Sequence, residues 1–208
     1  MEKQRYKLPS SKYSTLLSYQ APQASKIFID IVKKEGIMPN DIRNIIDATS
    51  HIGGDTIHLS QIYPHANVLA IDIDPDAISC LIKNIQESGN HIKHRIKVMC
   101  CDSIEYLNSL AVPVDIIYFD PPWGGHSYAD KKEIDLYLSN LSISNIINGL
   151  FRGEPITKIA VLKVPKNFSV SKFICSLRVS VKIDIWSIIK PQKDDSIAYN
   201  LLSIVNNC

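Results

Sequence analysis

No apolar run in this 208-residue chain approaches the ~20 residues needed to cross a bilayer, and the polar start from Met1 to Ser11 lacks the apolar centre of a secretion signal. An intracellular, soluble chain of the nucleus or cytoplasm, with no membrane partner, is expected. The five cysteines (Cys80, Cys100, Cys101, Cys175, Cys208) are odd in number and form no CxxC pair. This excludes a disulfide framework and a cysteine zinc site, and predicts free, buried thiols in a reducing compartment. His51, His58, His65, His91, His94 and His126 have no metal-ligand spacing, so no metal is expected. Charge of either sign is nearly absent in balance: a net +2 permits an anionic partner without demanding one. There are no repeats or low-complexity segments, and G-x-x-x-x-G-K-S/T is missing, which removes the phosphate-cradling loop of nucleotide hydrolases.

What is present is alternation. Short Ile/Val-rich bursts at Arg43 to Ala48, Asn67 to Ile71, Ile96 to Met99, Val114 to Phe119 and Lys158 to Val164 read as buried parallel strands. Between them, Asp55 to Tyr63, Pro75 to Ser88, Ser103 to Ser109 and Ile134 to Leu150 carry helical spacing with polar starts. Val179 to Ile189 and Ile197 to Val205, joined across Lys190 to Asp195, predict an antiparallel hairpin that closes the sheet. The expected fold is α/β: a doubly wound, mostly parallel seven-stranded sheet with a C-terminal antiparallel hairpin. Residues 1–39, helical from Pro22 to Glu35, form an extension contributing to the site, and 40–208 form the main domain. A monomer is expected.

In such sheets ligands lie beyond the carboxyl ends of the strands. After the first burst comes Asp47-Ala48-Thr49-Ser50-His51-Ile52-Gly53-Gly54-Asp55-Thr56, where glycines permit close backbone approach. The dinucleotide pattern G-x-G-x-x-G fails there, because His51 stands at its first glycine. After the second burst, Asp72 is placed to accept from ribose hydroxyls, with Asp74 as a helix cap. After the third, Asp102, followed by Ser103, could accept from an adenine amine or simply cap a helix.

The fourth burst runs into Asp120-Pro121-Pro122-Trp123-Gly124-Gly125. Two prolines stiffen the backbone, so the Asp120 carboxylate and the Pro121 carbonyl can be rigid acceptors for an amine. An exocyclic base amine is a poor nucleophile because its lone pair is conjugated with the ring. Acceptors on both N–H groups favour the pyramidal geometry that attacks a methyl group. Trp123 offers a flat face on which a base can stack. Arg152, Lys158 and Lys163 read as exposed residues or as an RNA path, and Lys131-Lys132-Glu133 as a solvated helix start.

Asp47 to Thr56, Ala70-Ile71-Asp72-Ile73-Asp74-Pro75, Cys101-Asp102 and Pro121-Pro122-Trp123-Gly124-Gly125-His126-Ser127-Tyr128-Ala129 together resemble the trimethylguanosine synthase family, the RNA cap guanine-N2 methyltransferases. Val164-Pro165-Lys166-Asn167, Gln4-Arg5-Tyr6 and Pro22 extend the likeness. The resemblance implies the Rossmann-like class I methyltransferase fold, S-adenosylmethionine as cofactor and 7-methylguanosine-capped RNA as partner. It places the cofactor on Asp47, Thr49, Gly53, Gly54, Thr56, Asp72, Ile73, Asp102, Ser103 and Asp120. Asp120, Pro121 and Trp123 would be catalytic; Trp123, Tyr128, Lys166 and Asn167 would meet the cap, whose cationic base suits an aromatic face. The chain departs from the family at His51 (glycine), Asp55 (asparagine), Asp120 (serine in many members) and Lys166 (arginine). Asp-Pro-Pro-Trp also occurs in adenine-N6 methyltransferases, so adenine or ribosomal guanine acceptors, and a non-catalytic RNA-binding subunit, stand beside the cap reading. Isoleucine- and lysine-rich usage fits an AT-rich genome, a parasite's or a large virus's, the latter acting in the host cytoplasm.

Overall fold

The computed structural model describes residues 20–190 and 196–207, which form two compact units dividing after Tyr106. Gln4 to Tyr6, the tip of the expected C-terminal hairpin and Cys208 lie outside the described residues. In the first unit, α1 (Gln20–Lys34) is followed by a 3-10 turn (Pro39–Asp41) and β1 (Asn44–Asp47). Then come α2 (Gly54–Ile62), β2 (Asn67–Asp72), α3 (Pro75–Glu87), the single turn α4 (Asn90–Lys93) and β3 (Ile96–Cys100). Helix α5 (Ser103–Asn108) crosses the division. Pro22 sits in the first turn of α1, where its missing N–H costs nothing. Ala24, Phe28, Ile31 and Val32 make that helix's buried stripe. Beneath it, fully buried Tyr63 donates its phenol to the Phe28 carbonyl at 2.7 Å.

The strands of this unit are parallel. Register Asp47↔Ala70 in β1–β2 and Asp72↔Cys100 in β2–β3 brings their carboxyl ends to one edge. That edge is tied across by the Ser50 N–H on the Ile71 carbonyl (2.9 Å) and the Cys101 N–H on the Asp72 carbonyl (3.1 Å).

The second unit holds β4 (Val114–Phe119), a 3-10 segment (Gly125–Asp130), the small hairpin β5 (Tyr137–Leu138) and β6 (Leu141–Ser142), α6 (Ile143–Leu150), β7 (Thr157–Pro165), α7 (Val170–Cys175), β8 (Val181–Ile189) and β9 (Ile197–Asn206). β4 and β7 are parallel, and β9 pairs antiparallel with both β7 and β8. Ile116 to Phe119 and Ile159 to Leu162 are almost wholly buried, as strands covered on both faces must be. The strand order β3-β2-β1-β4-β7-β9-β8 makes the expected seven-stranded, mostly parallel sheet with its antiparallel end.

Three readings need correction. Ile134 to Leu150 is not one helix: Ser139 and Asn140, both at positive φ (50° and 64°), make a two-residue turn between β5 and β6. Helix α6 begins only where the Ser142 hydroxyl accepts the Asn145 N–H. Two consecutive left-handed residues favour a hairpin turn over helix continuation, and helical spacing of the apolar residues hid them. Lys131 to Glu133 accordingly precede this hairpin and start no helix, and exposed Glu133 pairs with Lys172 at 3.4 Å. The described cysteines are free, but none is buried: Cys100 and Cys175 are exposed, Cys80 and Cys101 half-buried. They occupy strand ends and outer helix faces.

Burial holds the Tyr63 phenol protonated far above the ordinary tyrosine range. The unfolded chain sheds that proton near pH 10. The contribution of this phenol to stability is therefore constant below pH 10 and is lost as pH climbs above it. Tyr63→Phe should lower the unfolding free energy at neutral pH by about 1 kcal/mol, because the buried Phe28 carbonyl loses its donor. The variant should also lose less stability than wild type above pH 10. Urea unfolding at neutral and alkaline pH checks both effects.

Candidate active site

Three aspartates stand at strand ends of the first unit, each gripped by the turn that follows. Asp47, 1% exposed, accepts the Thr56 hydroxyl on Oδ2 (2.6 Å) and the Thr49 N–H on Oδ1 (3.2 Å). Thr56 is itself fully buried, so its hydroxyl holds Asp47 in place. Half-buried Asp72 accepts the His51 N–H on Oδ2 (2.7 Å) and the Asp74 N–H on Oδ1 (2.9 Å). Two fixed donors aim a carboxylate that has lone pairs left for hydroxyls. Asp74 caps α3 by accepting the Asp76 N–H. Asp102 accepts the Ile104 N–H at 2.7 Å and so starts α5, beside buried Ser103.

The loop between Asp47 and α2 is strained where the sequence departs from glycine. His51 adopts φ 44°, a left-handed conformation that costs a side-chain-bearing residue roughly 1–2 kcal/mol. Its N–H bond to Asp72 is what that conformation delivers. Gly53 follows at φ 87°, and a methyl added there would drive into Leu81 Cδ1, which is fully buried on α3. Gly54 is buried at the start of α2. From α3, the Asn84 amide donates to the Ile52 carbonyl at 2.9 Å and pins the loop from behind. Ser50 Oγ and His51 Nδ1 are buried without a partner, and Ile73, next to Asp72, is 68% exposed. A fixed carboxylate, an uncovered aliphatic side chain and unpaired polar atoms on a loop of open backbone suit a ligand with a diol and a flat ring.

In the second unit, register Phe119↔Leu162 places Asp120 beside Lys163 one step further on. Their side chains form an ion pair at 2.7 Å, with Lys163 buried and its Nζ 5.1 Å from the Tyr199 ring centroid. The reading of Lys163 as a solvent-exposed residue is thus overturned: the cation is enclosed and bound to the Asp120 carboxylate. A single lysine inside the apolar run Ile159 to Val164 is the signal that could have shown this. Lys158 does stay exposed, paired with Asp115 at 2.7 Å.

Past Asp120, Pro121 is buried and Pro122 exposed. Half-buried Trp123 stands edge-on to Tyr128, centroids 5.2 Å apart at 80°. Its Nε1 is buried without a partner. Gly124 (φ 92°) and Gly125 (φ 70°) turn the chain back into the 3-10 segment through a conformation other residues resist. Asn167 pins that segment, its amide donating to the Tyr128 and Lys131 carbonyls at 2.8 Å each, with Oδ1 buried and unpartnered. Lys166 is exposed. Burial, and secondarily the Asp120 charge, push the Tyr128 phenol up, so it remains an O–H donor. A separate cleft of about 370 Å³ in this unit, beside Tyr137, Phe168 and Lys172, contains none of these groups.

Fold and strand ends together define a methyltransferase-type α/β domain. The chain matches the RNA cap guanine-N2 methyltransferase family over residues 42–202, and it belongs to that family. It is 31% identical to the trimethylguanosine synthase of Schizosaccharomyces pombe over 124 residues, 58% of this chain and 47% of that protein. It is 28% identical to a tRNA adenine-N6-methyltransferase of Flavobacteriaceae bacterium (strain 3519-10), over 52% of this chain and 46% of that one. The chain thus spans about half the length of these curated relatives. Among solved structures, TrmK of M. capricolum, in complex with S-adenosylhomocysteine, shares the fold with a TM-score of 0.57. That likeness is at 15% identity, over 92% of this chain and 70% of that one.

The first-unit loop yields a stability test. Gly53→Ala adds a methyl against Leu81 and forces an L-residue to positive φ, and should lower unfolding free energy by about 2 kcal/mol or more. A urea midpoint equal to wild type would mean that the loop relaxes freely.

Proposed function

We propose that this protein transfers a methyl group from S-adenosylmethionine to the exocyclic N2 amine of the 7-methylguanosine cap of RNA. The observation that carries the reading is the loop after β4, where an aspartate, a proline carbonyl and an upright tryptophan follow one another at a strand end, in a chain of this family. The first-unit residues fit the cofactor's parts. Asp72 would accept the ribose hydroxyls, Ile73 would face the adenine, Asp102 with Ser103 would meet its amine, and the backbone of Thr49, Gly53 and Gly54 would receive the methionyl end. Asp47 and Thr56 hold that backbone in place from inside. When bound, the cofactor would supply a methyl group on a positively charged sulfur, which keeps the electron pair of the broken S–C bond and leaves as a neutral thioether, so no protein base is needed to activate it.

The remaining chemistry is orientation. Trp123 stacks on the guanine, and a methylated cationic ring strengthens that contact. Asp120 and the Pro121 carbonyl accept the two N–H bonds of the amine, which frees its lone pair for attack. When the new N–C bond forms, Asp120 is the first acceptor for the proton leaving nitrogen. Tyr128, kept as a phenol, donates to a cap phosphate, and exposed Lys166 adds a positive charge there. Asn167 serves the substrate indirectly, by holding the segment that carries Tyr128.

A second reading, with adenine N6 as acceptor, is favoured by Asp120 itself, since a carboxylate suits that amine equally. Labelled cofactor offered with capped RNA, uncapped RNA and DNA separates them: transfer to capped RNA is expected, and transfer to uncapped RNA alone would sink the cap reading. Trp123→Ala should abolish transfer with cofactor Kd near wild type. Asp72→Ala should weaken cofactor binding by roughly 1.5–3 kcal/mol in calorimetry, as for lost charge-assisted hydrogen bonds. Equal losses of both properties in Trp123→Ala would make the tryptophan structural.

A further inference from the structure

Lys163 occupies a position where an apolar side chain would suffice. Its neighbours along β7, Val161, Leu162 and Val164, are fully buried, and Lys163 itself is 7% exposed. Enclosing an ammonium group loses hydration, and ion pairs in such places are often no more stable than apolar replacements. The pair is therefore better explained by what the cation does to Asp120 than by what it adds to the fold. A cation at 2.7 Å favours the ionised carboxylate against desolvation and selects one orientation for it. Tyr128, which feels the Asp120 charge, and Tyr199, whose ring lies under the ammonium, also face the pair. Neither carries a positive charge that could replace Lys163.

We propose that Lys163 is a positioning residue for methyl transfer, holding Asp120 ionised and in one orientation so that the carboxylate can accept an N–H of the target amine. The inference rests on the reading of Asp120 as amine acceptor. Lys163 acts through Asp120 and meets no reacting atom itself.

Carbon-13 NMR of labelled aspartate carboxyls tests the electrostatic half without any turnover. In Lys163→Gln the Asp120 carboxyl should titrate about one pH unit or more higher than in wild type. An unchanged titration overturns the proposal. In turnover, Lys163→Gln should lose about tenfold or more in kcat at neutral pH, with KM for capped RNA and cofactor Kd near wild type. Its kcat should also fall off at higher pH on the acid side, because a carboxylate that protonates more readily fails earlier as pH drops. Lys163→Arg, which restores the charge, should recover most of the rate and the wild-type pH profile.

Where Lys163→Gln alone does not fold, Asp120→Asn with Lys163→Gln leaves no buried charge unpaired and can be compared with Asp120→Asn. No further loss of kcat is expected from the second substitution, and a second loss as large as in the wild-type background would show that Lys163 acts elsewhere. Wild-type protein that methylates no RNA defeats the functional reading and, with it, the role in methyl transfer, while an unchanged carboxyl titration with methylation intact defeats the Lys163 proposal alone.

Discussion

A carboxylate at the buried end of a parallel strand must find its hydrogen bonds in whatever follows the strand, and four aspartates impose that requirement on this chain. Asp47 draws in Thr49 and Thr56, Asp72 draws in His51 and Asp74, and Asp102 starts α5 through Ile104. Each turn is shaped by its carboxylate, so the loops that would meet a ligand are preorganised by the same bonds that end the strands. Asp120 is followed by two prolines, neither of which can offer an N–H, and a lysine from the neighbouring strand pairs with it. The paired side-chain cation marks the fourth strand end as chemically different from the other three.

That difference separates holding from reacting. Backbone N–H groups orient the Asp72 and Asp102 carboxylates, and the roles proposed for them, accepting from neutral hydroxyls and amines, require direction and little else. An acceptor at an amine that becomes positively charged during methyl transfer must also stay ionised, and a close ammonium favours this. Strain has a similar distribution. His51 is held at a positive φ where its N–H reaches Asp72, which is the kind of place where unfavourable backbone is retained for a site.

Much of this was legible in the sequence, for reasons that can be traced. β-branched runs mark parallel strands because both faces are covered, and Val114 to Phe119 was placed without error. The caps Asp74 and Asp102 follow from local hydrogen bonding and need no tertiary information. Helix α7 and the β5–β6 hairpin were missed. The first is six residues long, and the second depends on two left-handed residues, Ser139 and Asn140, inside an apolar pattern that suits a helix. Lys163 was misread because charge usually means exposure, and only the register of β4 against β7 reveals its partner. The bonds that hold Thr56 and Asn167 likewise come from residues brought together by folding, and no spacing rule carries them.

The central claim is that the loop after β4 presents a guanine N2 amine for methylation. Mass spectrometry of the cap nucleotide, released after reaction of the protein and S-adenosylmethionine with 7-methylguanosine-capped RNA, tests it most directly, with 7-methylinosine-capped RNA, which lacks the amine, as the partner sample. The account predicts added methyl mass on the guanosine cap and none on the inosine cap. Methylation of both caps, or of internal nucleotides with the cap unchanged, would contradict it.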